Sequence, residues 1–205
     1  MSRHRPSRSR QRTAPTKGRG KLRIIGGQFK RRQLPVADSP GLRPTPDRVR
    51  ETLFNWLAFE IAGRRVLDLF AGTGALGLEA LSRGARETQF VEAEAGVARL
   101  IETNLATLGA SGHVIAKDVL NFLDEPSLCF DVVFLDPPFR KALAGPACER
   151  LERRGWLSDD AWVYVETEAE LPPEVPANWV LHREVKAGDS QGRLYRRSSP
   201  GGDAC

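Results

Sequence analysis

The stretch VLDLFAGTGALGLEAL, Val66 to Leu81, decides how the rest of the chain is arranged. Its opening run, Val66 to Phe70, is apolar apart from Asp68, which reads as a strand buried on both faces. A turn of small residues follows, Ala71-Gly72-Thr73-Gly74. Leu76, Leu78 and Leu81, with Ala75 and Ala80, continue as a helix that Gly84 closes. A buried strand feeding a glycine turn and a helix is how α/β proteins hold nucleotide-like ligands. Glycines let the backbone approach the ligand, and the first turn of the helix offers unpaired N–H groups.

Gly72-Thr73-Gly74-Ala75-Leu76-Gly77 formally reads G-x-G-x-x-G, a pattern that purely structural turns also produce. Glu92 lies twenty residues after Gly72, at the end of a strand-like run from Thr88 to Val91. A carboxylate there can accept both ribose hydroxyls of an adenosine cofactor. The pair points to adenosine binding without choosing between a nicotinamide and a sulfonium cofactor.

Outward from this core, strands and helices alternate. Thr45-Pro46-Asp47 reads as a helix start with Thr45 as the capping hydroxyl, and Val49, Leu53, Trp56 and Leu57 recur at helical spacing. Arg43, Arg48 and Arg50 decorate this entry, either to clamp RNA phosphate or to pair with surplus acid. Glu94 to Leu108 is a second amphipathic helix closed by Gly109. His113 to Ala116 is a short strand, and Asp118 just beyond it either holds an adenine amine or caps the helix Val119 to Leu123. Phe130 to Leu135 and Ala161 to Glu166 are further strands around a helix, Ala142 to Arg154. Val180 to Val185 and Arg193 to Arg197 suggest a closing hairpin. Leu22 to Phe29 reads as a short hairpin or edge strand, and Leu34 to Pro46, with four prolines, as a loop. The pattern predicts an α/β sheet, parallel except near one edge.

Charge is unevenly spread. Residues 1–37 carry twelve Lys and Arg and no acid; the remaining 19 bases face all 26 acids, leaving the body net negative by seven. A basic arm on an acidic body seeks phosphate without choosing sequence, although it equally describes a solvated tail. Residues 1–20 lack large apolar side chains and are expected to be a disordered arm; 198–205 reads as a flexible tail. No apolar run reaches the ~18 residues of a membrane span, and the arginine-rich start has no apolar leader, so a cytoplasmic protein is expected. Three cysteines without C-x-x-C spacing read as reduced thiols, and neither they nor the three histidines form a metal-spaced set.

Asp136-Pro137-Pro138-Phe139 is the discriminating motif. It leaves a buried strand, so it lands on the same sheet edge as Gly72, Gly74 and Glu92. Two prolines fix two φ angles and remove two backbone donors, leaving a rigid set of acceptors beside the flat face of Phe139. Such equipment suits the exocyclic amine of a nucleobase, whose lone pair is delocalised until its hydrogens are gripped and the nitrogen is aimed. The bland reading is a proline-stiffened strand exit.

In combination, VLDLFAGTGALGLEAL, Glu92 and DPPF resemble the class I S-adenosylmethionine-dependent methyltransferases that act on amino nitrogens. GLRPTPDRVRETLFNWL (Gly41–Leu57), GALGLEALSRGA (Gly74–Ala85), NLATLG (Asn104–Gly109), DPPF and PANWVLHRE (Pro176–Glu184) are together similar to the RsmD family of bacterial 16S rRNA guanine-N2 methyltransferases. The resemblance runs from Leu22 to about Arg197. It implies a Rossmann-like sheet of seven strands with the last antiparallel and helices on both faces, over a methyltransferase domain of 21–197 with an N-terminal hairpin and helix extension. It implies S-adenosyl-L-methionine held by Asp68, Phe70, Gly72, Gly74, Glu92 and Asp118, and a target amine held by Asp136, Pro137, Pro138 and Phe139. The implied partner is 16S rRNA, within a small-subunit assembly; nothing in the sequence demands a dimer, and a monomer is expected. The long basic extension departs from the family pattern. Competing readings are a DNA amino-methyltransferase, for which 205 residues leave no sizeable recognition domain, a nicotinamide oxidoreductase, and a non-catalytic RNA-binding protein.

Overall fold

The computed structural model describes residues 20–39 and 45–198. The basic arm up to residue 19, Arg43 and the end of the tail lie outside the described residues. Nine strands and five helices follow in the order β1 (Gly20–Arg23), β2 (Gln33–Val36), α1 (Asp47–Trp56), β3 (Arg65–Leu69), α2 (Ala75–Ser82), β4 (Glu87–Glu92), α3 (Ala95–Leu108), β5 (Gly112–Ala116), α4 (Val119–Leu123), β6 (Phe130–Leu135), α5 (Ala144–Arg153), β7 (Leu157–Glu168), β8 (Trp179–Ala187) and β9 (Ser190–Arg197) among the described residues.

Seven strands form one sheet in the order β5-β4-β3-β6-β7-β9-β8, and β9 alone runs antiparallel to its neighbours. The expected α/β sheet with an antiparallel last strand is present, and the closing hairpin is β8–β9, with β9 inserted beside β7. The order reverses between β3 and β6, where an open α/β sheet parts to admit a ligand at the carboxyl ends of its strands.

Alternating residues of the central strands supply two core layers. Val66, Val132, Phe134 and Tyr164 pack with Leu53 and Phe54 of α1, with Leu57 just past its end, and with Leu76 and Ala80 of α2. Leu67, Leu69, Val133, Leu135 and Val163 face Val119 and Phe122 of α4 and Ala147, Cys148 and Leu151 of α5. Strands covered on both faces need the continuous apolar runs seen in VLDLF and FDVVFL. Gly77 lets α2 lie against β4: a Cβ there would overlap the Phe90 ring.

Two expectations are corrected here. Leu34 to Pro46 is not all loop, because β2 pairs antiparallel with β1 in a separate two-stranded ribbon. Leu34 and Val36 alternate inward while Pro35 faces out, a place where proline removes no needed ladder bond. Thr45 does not cap α1: Pro46 holds the cap position without a side-chain bond, and the Thr45 hydroxyl is directed to Asp136 instead.

The ribbon is fastened to α2, which is buried on every side. Glu79, fully buried, accepts the N–H groups of Ile25 and Gly26 (both 2.8 Å) and the Arg83 Nε–H (2.8 Å), with Arg50 Nη1 at 3.7 Å. Ser82 receives the N–H of Phe29 at 3.0 Å. Leu22, Ile24, Leu34 and Val36 then close a third core layer against Leu78 and Leu81 of α2 and Ile101 and Leu105 of α3.

Candidate active site

The register of the central strands builds the site. Leu69 pairs with Val91 on one side and with Leu135 on the other, and Leu135 pairs with Val165. The next residue of each strand therefore stands at one level along the carboxyl rim: Glu92, Phe70, Asp136 and Glu166. Asp68 lies one turn of the pleat below.

Past β3 the chain turns sharply. Phe70 takes φ +60°, costly for an aromatic residue, and Gly72 and Gly74 take +53° and +73°. Gly74 is the left-handed residue that starts α2. The carboxylates are bound into this turn. Glu92 accepts the N–H of Gly72 through Oε2 and that of Glu94 through Oε1, each at 2.8 Å. Asp68 is buried and accepts the N–H of Gly77 at 2.9 Å. Burial holds the Asp68 carboxyl well above the ordinary range; the Gly77 bond opposes that rise, and the charges of Asp136 and Glu92 add to it.

Asp136 is half-buried at the rim, Pro137 is buried, and Pro138 and Phe139 are exposed. Thr45 Oγ1 donates to Asp136 Oδ2 at 3.4 Å. Burial raises the Asp136 carboxyl above its ordinary range, the neighbouring charge of Glu166 raises it further, and the Thr45 bond works against both. After the motif, Arg140 and Ala142 adopt φ of +62° and +50°, and the Arg140 N–H is held by Glu168 Oε1 at 2.6 Å.

The remaining expected residues divide. Asp118 lies exposed two positions beyond β5 and caps α4, its Oδ1 accepting the Asn121 N–H at 3.0 Å. Arg48 is exposed on α1. Arg50 is a correction: its side chain is 1% exposed, so it does not face RNA. Its Nε donates to the carbonyl of Thr45 (3.2 Å) and its Nη2 to Asp47 Oδ1 (2.6 Å) and the Arg23 carbonyl (3.0 Å). Sequence reasoning treated Glu166 as nothing more than the end of a strand. An acid directly after the apolar run of a parallel strand, as at Asp136, is the signal that could have found it.

The donor set discriminates between adenosine cofactors. The N–H groups of Gly72 and Gly77, which a pyrophosphate would need, already face carboxylates. A phosphate entering here would find those donors already taken. A cofactor without phosphate, carrying a positive sulfonium and a ribose diol, fits these residues: the acids favour the cation, and Glu92 is placed for the diol. S-adenosyl-L-methionine satisfies the rim and a nicotinamide dinucleotide does not.

Comparison with known proteins agrees with this chemistry. A model of the family described as Conserved hypothetical protein 95 matches residues 22–196. The chain is 52% identical over 186 residues to ribosomal RNA small subunit methyltransferase D of Escherichia coli K12, covering 90% of this chain and 94% of that protein. Against the protein of the same name from Haemophilus influenzae it is 48% identical over 183 residues, covering 87% and 95%. A solved structure from Escherichia coli, the candidate methyltransferase yhhF, superposes with a TM-score of 0.83 at 50% identity, covering 87% of this chain and 99% of that one. With the glycine turn, the acidic rim and the DPPF hook in place, the chain belongs to the RsmD family of methyltransferases.

Proposed function

We propose that this protein transfers a methyl group from S-adenosyl-L-methionine to the exocyclic N2 amine of a guanine in 16S rRNA. It is an S-adenosylmethionine-dependent rRNA methyltransferase, and the observation that carries the finer reading is the juxtaposition of Asp136 with the Phe70–Gly74 turn across paired strands. On this reading residues 21–197 form the catalytic domain, working in the cytoplasm as a monomer on rRNA within a small-subunit assembly. Residues 1–20 form a basic arm and 198–205 a tail.

When bound, the cofactor supplies an activated methyl on a sulfonium sulfur. Glu92 would hold its ribose, Gly72 and Gly74 would let the backbone approach, and Phe70 and Asp118 would flank the adenosine. The rest is positioning by the chain. Asp136 accepts a hydrogen of the guanine amine, and the carbonyls of the Pro137–Pro138 segment accept another, so the nitrogen lone pair points toward the methyl. Exposed Phe139 offers a face for the base, a stacking contact worth ~1–3 kcal/mol. Asp68, buried beneath the cofactor turn, holds the start of α2 through Gly77 and so shapes the cofactor site. Of the basic residues, Arg43 and exposed Arg48 remain as phosphate contacts, whereas Arg50 braces Thr45.

The test is to incubate the protein with labelled cofactor and small-subunit particles lacking their native methylation, then map the modified nucleotide. Label in N2-methylguanosine at one rRNA position is the expected result; label in protein, DNA or another base would overturn the reading. Removing residues 1–20 should weaken RNA binding and flatten its salt dependence, measured as the slope of log affinity against log salt, and an unchanged slope would make the arm a bystander.

A further inference from the structure

Glu166 is a buried carboxylate that the methyl-transfer geometry does not use. It stands on β7 beside Asp136, 5% exposed, and both its oxygens are occupied. Tyr164 donates its hydroxyl to Oε2 at 3.0 Å, and Ser190 of β9 donates its own to Oε1 at 2.8 Å. Two neutral hydroxyls hold the side chain in place without cancelling its charge. On the opposite side of Asp136, the hydroxyl of Thr45 reaches its Oδ2, and the carbonyl of Thr45 is fixed by buried Arg50. The catalytic carboxylate is thus bracketed by a fixed negative charge on one flank and a hydrogen-bond donor on the other.

We infer that Glu166 is a positioning residue that makes Asp136 a proton acceptor for the amine, with Thr45 as the opposing restraint. The inference rests on the assignment of Asp136 to the target amine. As the methyl leaves sulfur for nitrogen, the C–S bond breaks, its electron pair stays on sulfur as a thioether, and the nitrogen lone pair forms the C–N bond. Nitrogen then carries a positive charge and an excess proton. That proton passes to the Asp136 carboxylate and from there to water. The positively charged nitrogen is a strong acid, so a carboxylate accepts its proton readily, and a fixed neighbouring anion raises that proton affinity further by like-charge repulsion. Burial and Glu166 shift Asp136 in that direction, while Thr45 opposes them. Among the described residues, Asp68 on β3 and Tyr164 on β7 also feel the charge of this carboxylate, and both are themselves shifted toward their neutral forms.

The two neighbours predict opposite displacements. Glu166→Gln keeps the shape and removes the charge, with one of the two hydroxyls turning to accept from the new amide N–H; Thr45→Val keeps the volume but removes the donor. Two readouts are needed: the pH profile of single-turnover methyl transfer, and the titration of the Asp136 carboxyl carbon by NMR in cofactor-free protein. Glu166→Gln should move the acid limb and the NMR midpoint down by about one pH unit, and Thr45→Val should move both up by about half a unit. A uniform loss of rate with an unmoved midpoint, or both variants shifting the same way, would overturn the inference. Asp136→Ala separates the two levels: if it leaves turnover intact, the assignment of the amine site fails, whereas if it abolishes turnover while Glu166→Gln shifts nothing, the role of Glu166 alone fails.

Discussion

At the carboxyl rim Asp68, Glu92, Asp136 and Glu166 crowd together with backbone N–H groups and hydroxyls as partners. On α2 a single carboxylate, Glu79, is more deeply buried than any of them, yet it faces two guanidinium groups as well as two N–H groups. The same chemical group serves opposite ends. At Glu79 opposite charge compensates desolvation, and the result fastens the β1–β2 ribbon to the sheet. At the rim like charges accumulate, and the folded state carries an electrostatic penalty in exchange for a cation-seeking, proton-accepting edge.

The contrast can be broken first at its catalytic end. Asp136→Ala should lower methyl transfer by about 100- to 1,000-fold while cofactor affinity by calorimetry changes by less than about threefold. Turnover close to that of the unaltered protein would remove Asp136 from the chemistry. Next in size is Glu79→Ala, which strips two part-buried N–H groups and the Arg83 guanidinium of their acceptor and leaves Arg50 with Asp47 as its remaining carboxylate. Urea unfolding should show a loss of about 3–5 kcal/mol, and a change below about 1 kcal/mol would mean the ribbon is held by its apolar contacts alone.

The smallest effect sharpens the comparison through pH. A carboxyl whose folded-state pKa is raised favours folding most at pH below its unfolded value, and that contribution is lost as pH rises through the folded value. With its carboxyl pushed up to about 8, folded Asp136 is mainly protonated at pH 7, and holding a proton that the unfolded chain has released weakens the fold. Asp136→Asn should raise stability at pH 7 by about 1 kcal/mol, and the gain should vanish as pH drops below the ordinary carboxylate range. Thermal melts across pH check this; a gain that persists at acid pH would mean that packing, not charge, is responsible.

How much of this was legible in the sequence follows from the range of each interaction. β3, β6 and β7 carry continuous apolar runs, and the acids at the ends of these strands and of β4 sit on the rim because strand direction alone puts them there. The glycine turn and DPPF were legible for the same reason: their chemistry is local. Arg50 was not, because a base in the first turn of a helix looks solvated until the ribbon 27 residues earlier covers it. Thr45 looked like a cap since nothing local indicates a partner 91 residues away. β2 was hidden by Pro35, whose neighbours alternate in a strand too short to outweigh the prolines around it. Glu79 lies within GLEAL, where a helix reads as well with an exposed acid as with a buried one.

The insertion of β9 between β7 and β8 has a consequence for synthesis. A chain made from its amino end produces β8 before the strand it must pair with, so β8 has no place in the sheet until the final eight-residue strand emerges. A chain interrupted at the β8–β9 turn would lose two strands rather than one, and would present β7 as an open, apolar margin inviting association with other unfinished chains. β9, made after both of its neighbours, is the strand that seals the sheet.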